Sequence, residues 1–296
     1  MEVLIESVDH EARGVGRNDN KVVFVENALP QEIVGVDIRR RKPSYETGVS
    51  TYIKSVSASR IKPRCVNFGV CGGCSFQHID ARTQLAIKQR VLEDALERIG
   101  SVRPEQILSP ICGPQFNYRS RARLSSRYVI KKEKALVGFR EKGKSYVVDM
   151  ASCEVLPDHI SRLLPELKLL VQSFSIRERV PQIEVACGND VNVLAFRMLE
   201  DPSLEDLRLL EQFAAKHDLV IFMQRGGPAT LTQIYPDEPV ALTYSITDMN
   251  LTYEFGLSEF TQVNTDVNSV LVRRAMSMLD LKPTDRVADL FCGPGN

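Results

Sequence analysis

Three cysteines lie close together in the sequence and a fourth follows far downstream. The spacing is Cys65-x5-Cys71-x2-Cys74, and Cys153 is remote. Glycines in the same loop let the backbone approach an inorganic centre and direct N–H groups at thiolate sulfur. Structural zinc more often uses two compact pairs of ligands, whereas three clustered cysteines plus a distant one are typical of a [4Fe–4S] cluster. The spacing therefore favours a cluster over zinc.

Other thiols and one histidine are weaker candidates. His78 could replace Cys153 in a zinc site, but we expect a polar surface histidine there. Cys112 and Cys187 have no partners in sequence, so we expect them to be buried apolar residues. Cys292 stands at a strand end beside glycines, where a packing role is favoured over a nucleophilic one.

Four arginines alternate along one predicted strand. Arg119, Arg121, Arg123 and Arg127 occupy odd positions, so a strand places them on one face, while Ala122 and its even-numbered neighbours face the core. Without an interleaved acid these arginines repel one another, unless an anion is bound there. We therefore predict a phosphate-contacting face, against the alternative of an ordinary solvated sheet face.

A glycine-rich turn near the end of the sequence is typical of nucleotide-like cofactor sites. A predicted strand at residues 286–291 is followed by Cys292-Gly293-Pro294-Gly295-Asn296, and such turns allow close approach to a ligand. G-x-G is weak evidence when taken alone. Upstream, the amide side chains of Gln262 and Asn264 could bind a polar cofactor or cap the next helix.

Charge and composition set the surroundings of these sites. The 296-residue chain balances 38 Lys and Arg against 38 Asp and Glu. Residues 34–64 hold eight basic residues against two acidic ones, and residues 117–147 hold ten against two, giving net charges of +6 and +8. No apolar run could span a bilayer, and the N-terminus lacks the features of a secretory signal. We expect a cytoplasmic protein with basic zones that face RNA and no membrane partner.

The predicted elements suggest a barrel followed by mixed structure. Short β-branched runs in the first ~60 residues, separated by turn residues at 14–16 and 18–20, predict a small closed barrel. A helix should begin after Asp80, with an apolar stripe including Leu92 and Ile99 as core. Further helices, hairpins and a capping motif at Ser203 predict an α+β middle region, in which Pro165 marks a kink or a helix start. A last helical stripe at 267–279 is also expected to be core.

These motifs, taken in order, resemble one known family. The chain is similar along essentially its whole length to bacterial 23S ribosomal RNA (uracil-5-)-methyltransferases that carry an N-terminal TRAM domain and an iron–sulfur cluster. The segments that carry the resemblance are Glu26–Pro30, Phe68–Cys74, Tyr118–Leu124, Val148–Cys153, Phe260–Asn264 and Asp289–Asn296.

The resemblance implies a multi-domain chain of β and α/β classes. Residues 1–62 are expected to form an OB-like TRAM β-barrel, residues 63–255 an α+β central domain with the iron–sulfur loop, and residues 256–296 the start of a Rossmann-like methyltransferase domain. It implies that Cys65, Cys71, Cys74 and Cys153 bind the [4Fe–4S] cluster. It also implies that S-adenosyl-L-methionine contacts Gln262, Phe291 and Asn296. The arginine face at Arg119, Arg121 and Arg123 is expected to bind RNA.

The family chemistry needs groups that this chain is not expected to contain. In the family a cysteine thiolate adds to C6 of a uracil, C5 takes the methyl group, and a glutamate removes the C5 proton. Both residues are expected beyond Asn296, so we expect the chain, as a truncated enzyme, to be inactive alone. The alternative is a non-catalytic iron–sulfur module that binds RNA. In both cases we expect a monomer with 23S ribosomal RNA as partner.

Overall fold

The computed structural model describes residues 1–293. They form two compact units, divided between Cys112 and Gly113. This division differs from the predicted boundaries at residues 62 and 255, which stay predictions. No helix in the described part of the chain is both long and apolar enough to cross a membrane.

The first unit begins with a closed five-stranded barrel. Its strands are β1 (Glu2–Val8), β2 (Gly14–Asn18), β3 (Lys21–Glu26), β4 (Ile33–Arg41) and β5 (Tyr45–Ser55). They close in the order β1-β2-β3-β5-β4, with β1 antiparallel to β4 and β3 parallel to β5. Alternate side chains point inward, so Val3, Ile5, Val23, Val25 and Val34 form the core. The predicted small closed barrel is confirmed.

One predicted turn is wrong. The residues from Gly14 to Gly16 lie inside β2, while the reversal occurs at Asp19 and Asn20, which both have positive φ. A Cβ atom on Gly16 would lie 2.4 Å from the carbonyl oxygen of Leu4. The glycine therefore serves the close approach of β1 to β2 rather than a turn.

Helix α1 (Ala81–Arg98) follows the cysteine loop, which is the segment that contains Cys65, Cys71 and Cys74. Asp80 caps it as predicted, because its side chain accepts hydrogen bonds from the backbone N–H groups of Arg82 and Thr83. The prediction that its apolar stripe is core is wrong. None of the residues of α1 is buried, and Leu92 and Ile99 are 55% and 85% exposed. Helical periodicity identifies an apolar face but does not say whether another element covers it.

The second unit is a mixed α+β structure. Its elements are β6 (Arg121–Val129), β7 (Lys134–Gly138), α2 (Asp158–Ser173), β8 (Gln182–Cys187), β9 (Asn192–Arg197), α3 (Leu204–His217), β10 (Val220–Gln224), β11 (Leu231–Tyr235), β12 (Leu242–Ile246), β13 (Leu251–Phe255) and α4 (Thr265–Leu279). Six strands form one sheet in the order β11-β10-β9-β8-β6-β7, and β12 pairs with β13 separately. In the large sheet β9 and β10 are parallel, and the other pairs are antiparallel.

Strand β9 is buried on both of its faces. Val193 and Ala195 pack in an apolar cluster with Tyr244 and other residues of β12 and β13. On the opposite face Phe196 meets Phe174, the residue after α2, with ring centroids 6.1 Å apart. The run of consecutive apolar residues in β9 therefore reflects burial on two sides.

Two helices of this unit, α3 and α4, begin at side chains that accept hydrogen bonds from their first N–H groups, whereas α2 has no such side-chain cap. In α3, Ser203 and Asp206 form the predicted capping box. Helix α2 starts at Asp158 and continues through Pro165, so the interpretation of Pro165 as a helix start is wrong.

The last predicted elements are only partly present. Helix α4 forms, but of its residues Asn268 alone is buried, so the prediction of a core stripe is wrong there too. Residues 286–291 are not a strand, because within residues 1–293 no other strand pairs with them. A single strand without a neighbour leaves its backbone groups unpaired.

Candidate functional site

The cysteine loop is closed at its base by two backbone segments. Arg60 and Ile79 form an antiparallel bridge, and the N–H of Ile61 donates to the carbonyl of His78 at 3.1 Å. The residues between these contacts include Cys65, Cys71 and Cys74, so their chain is fixed at both ends.

Buried Glu32 attaches this base to the barrel. Its carboxylate accepts hydrogen bonds from Arg60 and from the backbone N–H groups of Leu29 at 2.8 Å and Ser57 at 3.2 Å. Burial by itself raises the pKa of Glu32, but the hydrogen bonds outweigh it, so that the pKa lies below its usual value. The loop therefore starts from a fixed point on the barrel.

Within the loop, the three thiols are buried or half-buried, and one of them has a backbone N–H close to its sulfur. Cys71 is buried, and Cys65 and Cys74 are half-buried. The N–H of Gly73 lies 3.4 Å from Sγ of Cys71, a contact that stabilises negative sulfur. Gly69 has a φ of +87°, a conformation that favours glycine. Thiols and glycines are the residue types that iron–sulfur centres use.

The fourth predicted ligand, Cys153, belongs to the second unit and is buried. Its backbone N–H donates to Oγ of Ser161 on α2 at 2.8 Å. Among residues 1–293 no three or more His, Cys, Asp or Glu side chains are gathered as a metal site. The ligand set Cys65, Cys71, Cys74 and Cys153 therefore stays a prediction.

The structure corrects four predictions about single residues. His78 is buried rather than on the surface, with its ring 5.2 Å from that of Phe68. Cys112 and Cys292 are exposed, so neither packs as an apolar residue. Cys187 is half-buried rather than buried, and desolvation raises the pKa of its thiol to about 12. Residue type alone did not define these surroundings.

The arginine strand alternates as predicted but has an acidic partner. Ala122 and Leu124 are buried on the core side of β6. Opposite Arg123, strand β8 places Glu184, and Nε of Arg123 lies 2.9 Å from Oε1 of that carboxylate. No acid is interleaved with the arginines in sequence, but the expectation that they repel one another unless an anion is bound misses this carboxylate, which comes from a neighbouring strand. The side chain of Arg123 is still 70% exposed.

Arg119 and Arg121 are engaged within the protein. The Nε–H of Arg119 donates to the carbonyl of Arg121 at 3.1 Å. The guanidinium of Arg121 donates to the carbonyls of Leu257 and Glu259. Burial lowers the pKa of Arg121 from its usual value. Arg123 is thus the most exposed of the three arginines predicted to bind RNA.

The predicted cofactor residues differ in what surrounds them. Gln262 is exposed in the segment before α4, and Asn264 caps that helix by accepting from the N–H of Val267 at 3.0 Å. Phe291 is fully exposed in irregular backbone. Asn296 lies outside the described residues. The three cofactor contacts stay a prediction.

The basic zone of the barrel is at the end of β4. Arg39, Arg40 and Arg41 are exposed there. Arg39 pairs with Asp37 at 3.0 Å and Arg41 with Glu46 at 3.7 Å. The zone presents positive charge to solvent.

Several residues that hold these sites carry no recognisable motif. Glu32 and Ser161 are polar residues within otherwise ordinary segments. Glu184 could have been identified by pairing the predicted strand of Arg123 with one of the hairpins predicted for the middle region, but the register needed for that is visible only in the fold.

Two family models match the chain. One, described as TRAM domain, matches residues 1–49. The other, described as tRNA (Uracil-5-)-methyltransferase, matches residues 80–296.

Curated relatives are similar along the whole chain. A protein of Nitrosospira multiformis named 23S rRNA (uracil(1939)-C(5))-methyltransferase RlmD is 51% identical over 294 residues, covering 99% of this chain and 67% of the relative. Proteins of the same name are 50% identical in Cupriavidus metallidurans, with 99% and 64% covered, and 47% identical in Chromobacterium violaceum, with 99% and 58% covered. The chain therefore spans 58% to 67% of the length of these three relatives.

A solved structure shares the fold. The crystal structure of Pyrococcus abyssi tRNA (uracil-54, C5)-methyltransferase in complex with S-adenosyl-L-homocysteine matches with a TM-score of 0.64 at 19% identity. The match covers 94% of this chain and 65% of that chain.

Proposed function

The chain belongs to the tRNA (uracil-5-)-methyltransferase family, and on this premise we propose that it serves to methylate C5 of a uracil in 23S ribosomal RNA with S-adenosyl-L-methionine. The observation that carries the proposal is the 51% identity, across 99% of the chain, to a relative named for this reaction. The match of residues 1–49 to a TRAM domain supports an RNA substrate.

The reaction requires that C5 of the uracil be made nucleophilic. A cysteine thiolate forms a bond to C6, and the electron pair that develops at C5 attacks the methyl carbon of the cofactor, releasing S-adenosyl-L-homocysteine. A carboxylate base then takes the C5 proton, and the S–C6 bond breaks to restore the ring. We assign neither the nucleophile nor the base to a residue of this chain, and Cys292 is not offered for the first role.

We assign cofactor contacts to Gln262, Phe291 and Asn296. The exposure of the Gln262 side chain supports its assignment. Gln262 also lies two residues before Asn264, the residue that caps α4. An amide can donate to and accept from the polar groups of the cofactor.

We assign RNA contacts to Arg119, Arg121 and Arg123, together with the basic end of β4. Arg123 is the arginine best placed to reach a phosphate, since most of its side chain is in solvent. Arg119 and Arg121 add positive potential near the same face of the sheet, which favours RNA binding without reading the sequence of the RNA.

We also infer that Cys65, Cys71, Cys74 and Cys153 hold a [4Fe–4S] cluster. The N–H directed at Sγ of Cys71 and the glycines of the loop support this. The cluster would fix the loop and help position RNA, and no step of methyl transfer is assigned to it. We place the protein in the cytoplasm as a monomer.

The test is to map 5-methyluridine in 23S ribosomal RNA by mass spectrometry before and after disruption of the gene. Loss of one methylated position on disruption, and its return with the intact gene, is the expected result. A gene carrying Gln262→Ala should restore it poorly, whereas Gln212→Ala, an exposed amide on α3, should restore it fully. Unchanged methylation after disruption would contradict the proposal.

The 296-residue chain should be tested separately with purified 23S ribosomal RNA. We expect it to bind the RNA in a salt-dependent way but to transfer no labelled methyl group from S-adenosyl-L-methionine. RNA binding by the chain, combined with unchanged methylation after gene disruption, would favour the non-catalytic module.

A further inference from the structure

The segment between β13 and α4, residues 256–264, is irregular backbone held by the residues just before and at the start of β6. Ser120 donates to the carbonyl of Val263 twice, from its N–H at 2.8 Å and from its Oγ at 3.1 Å. Next to it, Arg119 forms an antiparallel bridge with Asn264. The end of the segment nearest α4 is therefore fixed by backbone contacts.

The start and middle of the segment are fixed by one side chain. The guanidinium of Arg121 donates through Nη2 to the carbonyl of Leu257 and through Nη1 to the carbonyl of Glu259. Nη1 also lies 3.3 Å from Oγ1 of Thr261. Its Cζ lies 5.6 Å from the ring centroid of Phe255. The planar guanidinium carries N–H donors on separate nitrogens, so it can bind all of these acceptors at once. The single nitrogen of a lysine ammonium cannot reach all of them together.

These contacts surround Gln262 without involving its side chain. Thr261 is buried, and the carbonyl of Val263 is bound to Ser120, whereas the side chains of Phe260 and Gln262 are exposed. The backbone is thus held on either side of Gln262 while its amide stays available to a ligand.

We propose that Arg121 is the positioning residue of the cofactor-binding segment, holding residues 257–261 so that Gln262 reaches S-adenosyl-L-methionine. The inference rests on the proposed function for the cofactor role of Gln262. This positioning role takes the place of the RNA contact assigned to Arg121 above. A guanidinium that donates to two carbonyls and a hydroxyl has fewer N–H groups left for phosphate.

Two variants separate this role from a phosphate contact. Arg121→Lys keeps the charge but loses the planar guanidinium. A phosphate contact would largely survive this change, while the hydrogen bonds to residues 257–261 would not. Arg121→Ala removes both. Arg127→Lys and Arg127→Ala are the matched controls, because Arg127 is exposed at the same face of β6.

The first measurement needs no ligand. Phe260 is 73% exposed, so chymotrypsin can cleave after it once the segment opens locally. The rate at which the fragment 1–260 forms, followed by mass spectrometry, should rise about tenfold or more in both Arg121 variants, the scale set by losing hydrogen bonds to a charged group. The Arg127 variants should be cleaved like the wild type.

The second measurement is titration of each variant with S-adenosyl-L-homocysteine and with 23S ribosomal RNA. Both Arg121 variants should bind S-adenosyl-L-homocysteine about tenfold or more weakly, while Arg121→Lys keeps its RNA affinity. Unchanged cleavage, or faster cleavage with unchanged affinity for S-adenosyl-L-homocysteine, would overturn the inference. These titrations use the whole protein that the intact gene encodes, since the chain spans only about two thirds of the length of its relatives. A wild-type whole protein that fails to bind S-adenosyl-L-homocysteine would instead overturn the proposed cofactor role of Gln262, and the inference with it.

Discussion

Arg60 and Glu32 form a bidentate ion pair between the barrel and the base of the cysteine loop. Nε of Arg60 lies 2.6 Å from Oε1 of Glu32, and Nη2 lies 2.7 Å from Oε2. Glu32 is fully buried, and Nη2 also donates to the carbonyl of Asn27 at 2.8 Å. The pair thereby connects the turn before β4 to the segment that enters the cysteine loop.

Replacing Arg60 should destabilise the first unit strongly. Arg60→Ala leaves a buried carboxylate without its counter-ion, which costs about 3 kcal/mol or more in the free energy of unfolding. Urea unfolding followed by circular dichroism measures the effect. Lys62→Ala, an exposed lysine two residues along, is the control and should change the midpoint little. Equal midpoints for the two variants would show that the pair contributes no stability.

A second stability prediction concerns the close contact of β1 and β2. Gly16→Ala places a Cβ atom 2.4 Å from a backbone oxygen and 2.5 Å from Cγ1 of Val3. Because a backbone must shift to admit it, we expect a loss of about 1–3 kcal/mol. The control is Gly227→Ala, where a Cβ would meet nothing within 4 Å. Thermal unfolding of both variants decides, and a Gly16→Ala protein as stable as the Gly227→Ala protein contradicts the steric argument.

Gly16 also shows where sequence patterns stop being informative. The alternation of apolar residues predicted the barrel strands, since period two in β3 places Val23 and Val25 in the core. A glycine, however, is equally consistent with a turn and with two strands in close contact. The difference depends on which strand lies opposite, and that follows only from the pairing of β1 with β2.

The same limit applies to the candidate site. Periodicity predicted that the arginines of β6 share a face, and the capping motifs at Asp80 and Ser203 predicted two helix starts correctly. It did not predict that Glu184 would neutralise Arg123 or that Arg121 would bind carbonyls of residues 257 and 259. Those partners are distant in sequence, and they become neighbours only through the order of strands in the sheet.

The buried Asp206 should make stability depend on pH. Its carboxylate accepts from the N–H of Ser175 at 2.8 Å and from the N–H of Ser203 at 2.9 Å. Burial alone raises the pKa of Asp206, but these hydrogen bonds and those of the serine hydroxyls outweigh it and lower the pKa. The stabilisation is therefore complete above the unfolded pKa of about 3.9 and is lost as the pH falls through the lower folded value.

Asp206→Asn tests this dependence. At neutral pH the variant should lose about 2 kcal/mol, because an amide cannot accept all the hydrogen bonds of a carboxylate. Its difference from the wild type should shrink as the pH falls below about 4. Glu205→Gln is the control, since Glu205 is an exposed acid one residue away. A difference that stays constant down to acid pH would rule out the carboxylate as its source.

The proposed four-cysteine centre would have a defined composition. Protein purified without oxygen should contain about four iron and four sulfide per chain. Cys71→Ala should lose both, because one of the four thiolates is missing, and the loop should become easier to cleave. Cys112→Ala, which removes an exposed thiol outside the set, should keep them. A colourless wild-type protein that contains zinc would contradict the iron–sulfur cluster and support a zinc site instead.

The exposed Arg123 predicts a measurable electrostatic contribution to RNA binding. If its guanidinium contacts phosphate, Arg123→Gln should weaken binding about equally for all RNA sequences and reduce the slope of log affinity against log salt by about 1. The lost pair with Glu184 should cost under about 1 kcal/mol of stability, since Arg123 is largely in solvent. Arg208→Gln is matched in charge, because Arg208 is an exposed arginine on α3, and it should leave the slope unchanged. Equal slopes for the two variants would exclude a phosphate contact, and a loss confined to one RNA sequence would instead indicate that Arg123 reads a base.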